Sequence, residues 1–167
     1  GSDREGPTNR TGAGTGPDPY RLDFNGSTQY INMGDTINPT SFTLGAWVKT
    51  TKAGVQPVIN KYNTGGTQSY EMYLDATGHV VCLYYQTNIG WWVPGATSVT
   101  STATVNDGAW HYITCTAEPS TMTVYVDGAS SGSAAAPNLI QTTTSALWIG
   151  KDNSGNLITT GSFFAAA

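Results

Sequence analysis

From Tyr20 onward, apolar and polar residues alternate in short runs that are separated by clusters of Gly, Pro, Asn, Asp and Ser. In Phe42–Lys49 every second residue from Phe42 to Val48 is apolar, whereas Trp47 falls on the opposite face. Alternation with a period of two is typical of strands that bury one face. We therefore predict roughly ten short strands, and the pattern defines them best at 20–24, 30–33, 42–49, 57–61, 70–75, 79–85, 110–117, 122–126 and 147–150.

The segments between these strands carry the residues that turns require. Asn25-Gly26-Ser27 is expected to join the first two strands as a hairpin, and Glu118-Pro119-Ser120 to form a second hairpin. Asp107-Gly108 and Asp127-Gly128 supply residues that tolerate positive φ. Residues 130–137, three alanines among Ser, Gly and Pro, are predicted to be a loop. Apolar residues at helical spacing with caps at both ends are missing from the sequence, so the chain is predicted to be all-β.

Composition and charge narrow the classes of function. Charged residues make up 11% of the 167 residues, against about 25% in ordinary soluble domains. The net charge is −4 and the seven Lys and Arg residues are scattered, so the basic stripe that nucleic-acid binding needs is missing. The sequence has no run of about 18 apolar residues, and we expect no membrane span. This composition favours a protein outside the cell or on the surface of a cell or particle.

The chain divides into two parts, an N-terminal segment over 1–19 and a single domain over 20–167. The first part is rich in Gly, Pro and Thr and contains no large apolar residue. Such a composition is typical of disorder, because too little surface can be buried to offset the entropy of ordering. The alternative is an extended linker or donor strand that a neighbouring molecule holds in place.

Five local motifs follow one another along the domain: LDFNG at 22–26, FTLGAWVK at 42–49, DGAWHYI at 107–113, YVDG at 125–128 and LWIG at 147–150. Together they resemble the laminin-G-like jelly rolls of the concanavalin A-like lectin/glucanase superfamily. The resemblance implies an antiparallel two-sheet jelly-roll sandwich. Trp47 and Trp110 are expected to pack in its core, because tryptophan supplies a large apolar surface.

The resemblance also implies a last strand that closes the sandwich. Only residues 161–165 resemble the approach to it, so we expect the domain to lack its own closing strand, through truncation or unassigned sequence. An open edge of this kind readily recruits an extended segment from another chain. Copies are therefore expected to assemble head to tail into a filament or surface fibre. The candidate assembly residues are Thr8, Thr11 and Thr15 in the donor segment and Phe163 and Phe164 beside the groove.

Catalysis is not expected. Glucanases of this superfamily carry a Glu-x-Asp-x-x-Glu row, because glycoside hydrolysis needs two carboxylates at a defined separation. The nearest stretch here holds Glu71 and Asp75, which lack that spacing. Neither His79 nor His111 has a Ser or Cys neighbour that indicates an activated nucleophile.

Carbohydrate binding is the alternative to assembly. Trp91 and Trp92 lie in a long connection together with Asn88 and Gln86. Paired exposed aromatic rings suit the apolar faces of pyranose rings, and the two amides suit sugar hydroxyls. The same tryptophans are equally typical of protein interfaces, or of a cover over the edge of the core.

Metal binding is a weaker prediction. No His or Cys cluster has zinc spacing, and we expect no cofactor other than calcium. Many members of the resembled family bind calcium at one rim of the sandwich, and Asp152, Asn153 and Asp75 are the candidate oxygen ligands.

Four residues are candidates for covalent modification. Asn9 and Asn25 fit the N-glycosylation rule, although Asn25 also has a turn to form. Cys82 and Cys115 lie within predicted strands, where they are either two small buried hydrophobic residues or partners in one disulfide.

Overall fold

A computed structural model describes residues 8–11, 20–63, 67–86, 96–136, 140–152 and 161–166. These residues form thirteen β-strands. The strands are β1 (Thr8–Thr11), β2 (Tyr20–Phe24), β3 (Ile31–Asn32), β4 (Phe42–Lys49), β5 (Gln56–Asn63), β6 (Thr67–Leu74), β7 (His79–Tyr85), β8 (Ala96–Thr104), β9 (His111–Glu118), β10 (Thr121–Val126), β11 (Ala129–Ala135), β12 (Trp148–Ile149) and β13 (Gly161–Ala166). Over these same ranges there is no helix long and apolar enough to cross a membrane.

The strands form two antiparallel sheets, which confirms the predicted all-β sandwich. The larger sheet has seven strands in the order β1-β2-β13-β4-β9-β10-β11, and the smaller has six in the order β3-β12-β5-β6-β7-β8. The predicted hairpin between β2 and β3 is wrong, because these strands lie in different sheets. Between them Asn25 Oδ1 accepts the backbone N–H groups of Ser27 and Thr28, both at 3.0 Å. This cap turns the chain across the sandwich instead of back along the same sheet.

The core lies between the two sheets and follows the alternation of the strands. In β4 Ala46 and Val48 face inward, whereas Trp47 is half-buried on the outer face and stacks on Tyr112 with ring centroids 5.3 Å apart. Trp110 is half-buried as well and lies outside the core cluster. The expectation that both tryptophans pack in the core is therefore wrong. In β4 the reason is parity, since a residue between two inward-facing neighbours must face outward.

A disulfide joins the sheets through the core. Cys82 of β7 and Cys115 of β9 are bonded, with their Cα atoms 6.0 Å apart, and both are fully buried. The sequence leaves open whether the two cysteines are separate buried residues or partners in a disulfide, and in the structure they form the disulfide.

The expected gap in the larger sheet is filled by the chain itself. β13 pairs with β2 on one side and β4 on the other, with Phe163 opposite both Leu22 and Val48 and Phe164 opposite Trp47. The prediction of a missing closing strand is wrong. The segment 161–165 is this strand, and its backbone is paired along both neighbours.

The described part of the N-terminal segment pairs within the same chain. β1 lies antiparallel to β2, with Thr8 opposite Asp23 and Thr11 opposite Tyr20, while Thr15 lies outside the described residues. The assembly hypothesis depended on an open edge beside an apolar groove, whereas β13 occupies the position between β2 and β4 in the larger sheet. Self-association stays an untested prediction.

Residues 130–137 were expected to form a loop, but most of them belong to the edge strand β11. Its small residues let the two sheets approach closely. A Cβ added at Gly132 would lie 2.6 Å from the Thr100 carbonyl oxygen of β8. Ser131 Oγ accepts the backbone N–H groups of Thr102 and Ala103, each at 3.1 Å. The strand has few apolar residues because small side chains are needed where β11 and β8 lie this close together.

The two Asp-Gly turns meet at one histidine. His111 Nδ1 lies 2.8 Å from Asp127 Oδ2, and its Nε2 lies 3.1 Å from Asp107 Oδ1. Asp127 and Gly128 both have positive φ, 53° and 80°, as a type I′ hairpin requires. Burial lowers the pKa of His111, but the hydrogen bonds and charges of the two carboxylates outweigh it and raise the pKa above its ordinary value. These motif residues thus hold turns together.

Candidate functional site

The outer face of the smaller sheet carries a row of polar and aromatic side chains. Tyr70, Met72 and Leu74 of β6 are buried in the core, so the alternating residues Glu71 and Tyr73 face outward. Glu71 lies opposite Asn60 of β5, and the Asn60 amide nitrogen donates to Glu71 Oε2 at 2.8 Å.

These side chains line a cleft of about 220 Å³, which we call the tyrosine cleft. Its lining residues are Val55, Pro57, Tyr62, Glu71, Tyr73, Tyr85 and Asp152. The rings of Tyr62 and Tyr85 pack together with centroids 5.6 Å apart and planes inclined by 33°. The cleft therefore combines an aromatic wall with two carboxyl groups, one from β6 and one from the segment after β12.

Burial dominates the electrostatics of this cleft. Burial, reinforced by the charge of Asp152, raises the pKa of Glu71 to about 7, although the hydrogen bond from Asn60 opposes the change. Burial also raises the pKa of Tyr73, with the charges of Glu71 and Asp75 adding to it, and burial and the charge of Glu71 raise that of Tyr85. Both phenols consequently keep their protons at neutral pH, and a side-chain hydrogen bond with Tyr62 engages the Tyr85 hydroxyl.

None of the described residues that line the cleft carries a positive charge. Lys151, next to Asp152 in the chain, places its Nζ 4.4 Å from the ring centroid of Tyr30 and 4.6 Å from that of Trp148. Lys61 of β5 is fully buried and donates to Asp35 Oδ1 at 2.9 Å. The nearest cations in the sequence are thus engaged elsewhere, and the cleft is acidic.

Of the carbohydrate-binding residues predicted from the sequence, only Gln86 lies within the described ranges, and it is not among the residues that line the cleft. Gln86 directly follows Tyr85, and its Nε2 donates to Thr97 Oγ1 at 2.5 Å. Asn88, Trp91 and Trp92 lie outside the described residues. The connection that carries them begins one residue after the ring of Tyr85.

The predicted calcium ligands are not gathered into one site by the described structure. Asp152 lines the cleft, while Asp75 Oδ1 already accepts the backbone N–H groups of Thr77 at 2.8 Å and His79 at 3.0 Å in its own turn. Asn153 lies outside the described residues. Across the described ranges, no three His, Cys, Asp or Glu side chains cluster as a metal site. Calcium binding stays a prediction.

The two glycosylation candidates lie in different settings. Asn9 lies in β1, where its backbone is opposite Leu22. Asn25 is exposed, but its Nδ2 donates to Thr28 Oγ1 at 2.9 Å while its Oδ1 caps the turn. The structure thus gives Asn25 a role in the turn, and glycosylation of either residue stays a prediction.

Comparison with known families agrees with this architecture. Residues 25–167 match a laminin-G-type family model described as the concanavalin A-like lectin/glucanases superfamily. The chain belongs to this superfamily. The resemblance read from the five sequence motifs is confirmed. No curated protein sequence matches the chain.

Solved structures share the fold at low identity. Domains LG4-5 of the mouse laminin alpha1 chain align with a TM-score of 0.62 and 13% identity, covering 88% of this chain and 43% of that one. The binding domain of botulinum neurotoxin DC in complex with SialylT gives 0.63 and 11%, covering 90% and 38%. The binding domain of Paraclostridial Mosquitocidal Protein 1 gives 0.54 and 14%, covering 87% and 36%. This chain thus spans about two fifths of each solved chain, and the likeness concerns the fold.

Proposed function

We propose that this chain is a non-enzymatic carbohydrate-binding module of an extracellular or surface protein, and that the tyrosine cleft is its sugar site. The observation that carries the proposal is the packing of the Tyr62 and Tyr85 rings beside the Glu71 carboxyl in one cleft. The buried disulfide supports an oxidising compartment, because such bonds persist mainly outside the cytosol.

The chemistry of the cleft suits a sugar ring. A pyranose has an apolar C–H face, which packs on an aromatic ring, and a rim of hydroxyl groups, which donate to carboxylates and accept from phenols. Ligand sites generally combine apolar and aromatic walls with a few placed polar groups. At about 220 Å³ the cleft is smaller than the roughly 300–1,000 Å³ of pockets for drug-sized ligands, and this favours one ring of a longer glycan.

The comparisons support binding over other functions. Two of the similar structures are described as binding domains, and one of these is in complex with SialylT. Glu71 and Asp152 require a separate control, since two carboxyl groups in a sugar site are also what a glycosidase uses. A binding module holds its glycan without cleaving it, so the proposal predicts retention without release of reducing ends.

The experiment measures glycan retention and hydrolysis together. Tyr85→Ala and Tyr73→Ala are expected to lower retention at least tenfold with the fold intact by circular dichroism. Tyr125→Ala is the matched control, because Tyr125 lies between the buried Val124 and Val126 on the outer face of the larger sheet, away from the cleft. If Tyr85→Ala and Tyr73→Ala retain the glycan as well as Tyr125→Ala does, the site lies outside the cleft. Trp91→Ala and Trp92→Ala then test the neighbouring connection. Release of reducing ends by the wild type would overturn the non-enzymatic proposal.

A further inference from the structure

We propose that the tyrosine cleft selects glycans whose bound ring carries no anionic group, and that it rejects sialylated or sulfated rings. This inference rests on the proposed function, since it specifies the class of sugar taken by the same site.

The ionisable groups in the described lining of this cleft that carry a charge near neutral pH, Glu71 and Asp152, are both acidic. Glu71 and Asp152 are close enough for the charge of one to act on the other. Asp152 is 9% exposed and Glu71 is largely buried as well, so water screens an approaching anion poorly. A carboxylate or a sulfate on the bound ring would bring a further negative charge against these two carboxyl groups in a site of reduced dielectric constant.

Among the described residues, the lining of the cleft also lacks donors that would compensate the charge of a bound anion. A protein that recognises a carboxylate or sulfate normally presents Arg, Lys or several convergent N–H groups. The described lining offers none of these. The Asn60 amide, which is the nearest donor shown at the site, is already bonded to Glu71 Oε2. Its Oδ1 accepts the backbone N–H of Tyr62 at 3.0 Å, which fixes the orientation of this amide.

The cation next to Asp152 in the chain is already engaged by two aromatic rings. Lys151 is held over the rings of Tyr30 and Trp148, which attract an ammonium through their π faces. Recruitment of Lys151 to an acidic glycan would have to break both contacts. Neutral hydroxyls need no such rearrangement, because a carboxyl group accepts from a hydroxyl and the phenol of Tyr73 can donate to its oxygen.

The test uses pairs of glycans that differ only in one terminal sialic acid or one sulfate. The wild-type chain is expected to retain the uncharged member of a pair at least tenfold more strongly, since like-charge contacts at an interface are strongly unfavourable. Equal or stronger retention of the acidic members would overturn the inference and leave carbohydrate binding standing. Retention of neither member of any pair would overturn both this inference and the proposed function.

Two conservative variants locate the source of the selectivity. Glu71→Gln keeps an oxygen for the Asn60 amide and removes one charge, and Asp152→Asn removes the other. In each variant the ratio of uncharged to acidic glycan retained is expected to fall severalfold, whatever the change in retention of the uncharged glycan itself. Should one variant fail to fold, the other decides the question. A full preference in a folded variant would place the selectivity outside the cleft and overturn the inference.

Discussion

The side-chain amide of Asn60 donates to the carboxyl group of Glu71 at 2.8 Å across the β5–β6 pair. The contact stabilises the charged form of Glu71, yet burial and the charge of Asp152 outweigh it, and the pKa of Glu71 rises to about 7. A carboxyl group held in this way is oriented for a ligand and is partly protonated near neutral pH. This relationship links the proposed site to the stability of the fold.

Glu71 is expected to make the fold less stable as the pH rises from about 4.5 to about 7. Its ordinary pKa is 4.5 and its folded pKa is about 7, so the folded state holds a proton that the unfolded state has released. The contribution is fully present below pH 4.5 and is lost as the pH rises through 7, and it amounts to about 3 kcal/mol. Urea unfolding of the wild type and Glu71→Gln at pH 5 and pH 8 measures it.

Comparison with a variant is necessary because the pKa of His111 is raised in the folded state as well. Its raised pKa also gives stability that is lost as the pH rises. The difference between the wild type and Glu71→Gln isolates Glu71, and Glu118→Gln, at an exposed turn, is the matched control. Parallel pH profiles for the wild type and Glu71→Gln would contradict the prediction.

Much of the fold could be predicted because its signal is local. The alternation in Phe42–Lys49 and the continuous apolar run in His79–Tyr85 gave both strands their observed bounds. The last strand could not be recognised, since residues 161–166 show no alternation and their partners, β2 and β4, lie more than a hundred residues earlier in the chain. Strand β11 was missed for a related reason: its small residues fit a seam against β8 that only the folded sandwich creates.

The candidate site was harder to predict than the fold. Alternation places Glu71 and Tyr73 outward once Met72 is assigned to the core. The sequence does not reveal that Tyr85 and Asp152 join them, because this depends on the order of strands in the smaller sheet. Tyr62 also lines the cleft, and it follows a register shift in the β5–β6 pairing between Lys61 and Tyr62. No local sequence pattern predicts that shift.

Lys61→Met is expected to destabilise the fold by about 2–3 kcal/mol. The buried ammonium donates to Asp35 Oδ1 at 2.9 Å, the Thr36 carbonyl oxygen at 2.9 Å and the Ser145 carbonyl oxygen at 2.8 Å. Methionine fills similar space but leaves these acceptors without their donor. Urea unfolding at pH 7 measures the loss, with the exposed Lys52→Met as control. An equal, small effect of both substitutions would show that the buried ammonium contributes little.

Loss of the disulfide is expected to cost about 3–4 kcal/mol. The bond between Cys82 and Cys115 spans 33 residues, and closing a loop of that length removes chain entropy from the unfolded state. A double Cys82→Ala, Cys115→Ala variant should unfold at a lower urea concentration and should not respond to reductant. The wild type in reductant should approach it after unfolding and refolding. A wild-type midpoint that stays unchanged after this cycle would contradict the prediction.

Ile37→Asn is expected to stabilise the chain by about 1 kcal/mol. Ile37 has φ of 54°, a conformation that is costly for a β-branched residue and that asparagine tolerates better. Three neighbouring contacts impose it, because the Lys61 ammonium holds Asp35 and the Thr36 carbonyl, and the Tyr70 hydroxyl donates to the Ile37 carbonyl oxygen at 3.0 Å.

The side chain of Ile37 is 47% exposed, so little apolar burial is lost when it is replaced. The other non-glycine residue of positive φ among the described residues, Asp127, is already of a type that accepts the conformation. Ile37→Val is the control, since it keeps the β-branch and the strain and should leave the urea midpoint unchanged. If the Asn and Val variants have the same urea midpoint, the backbone at residue 37 stores no strain that a change of side chain can relieve.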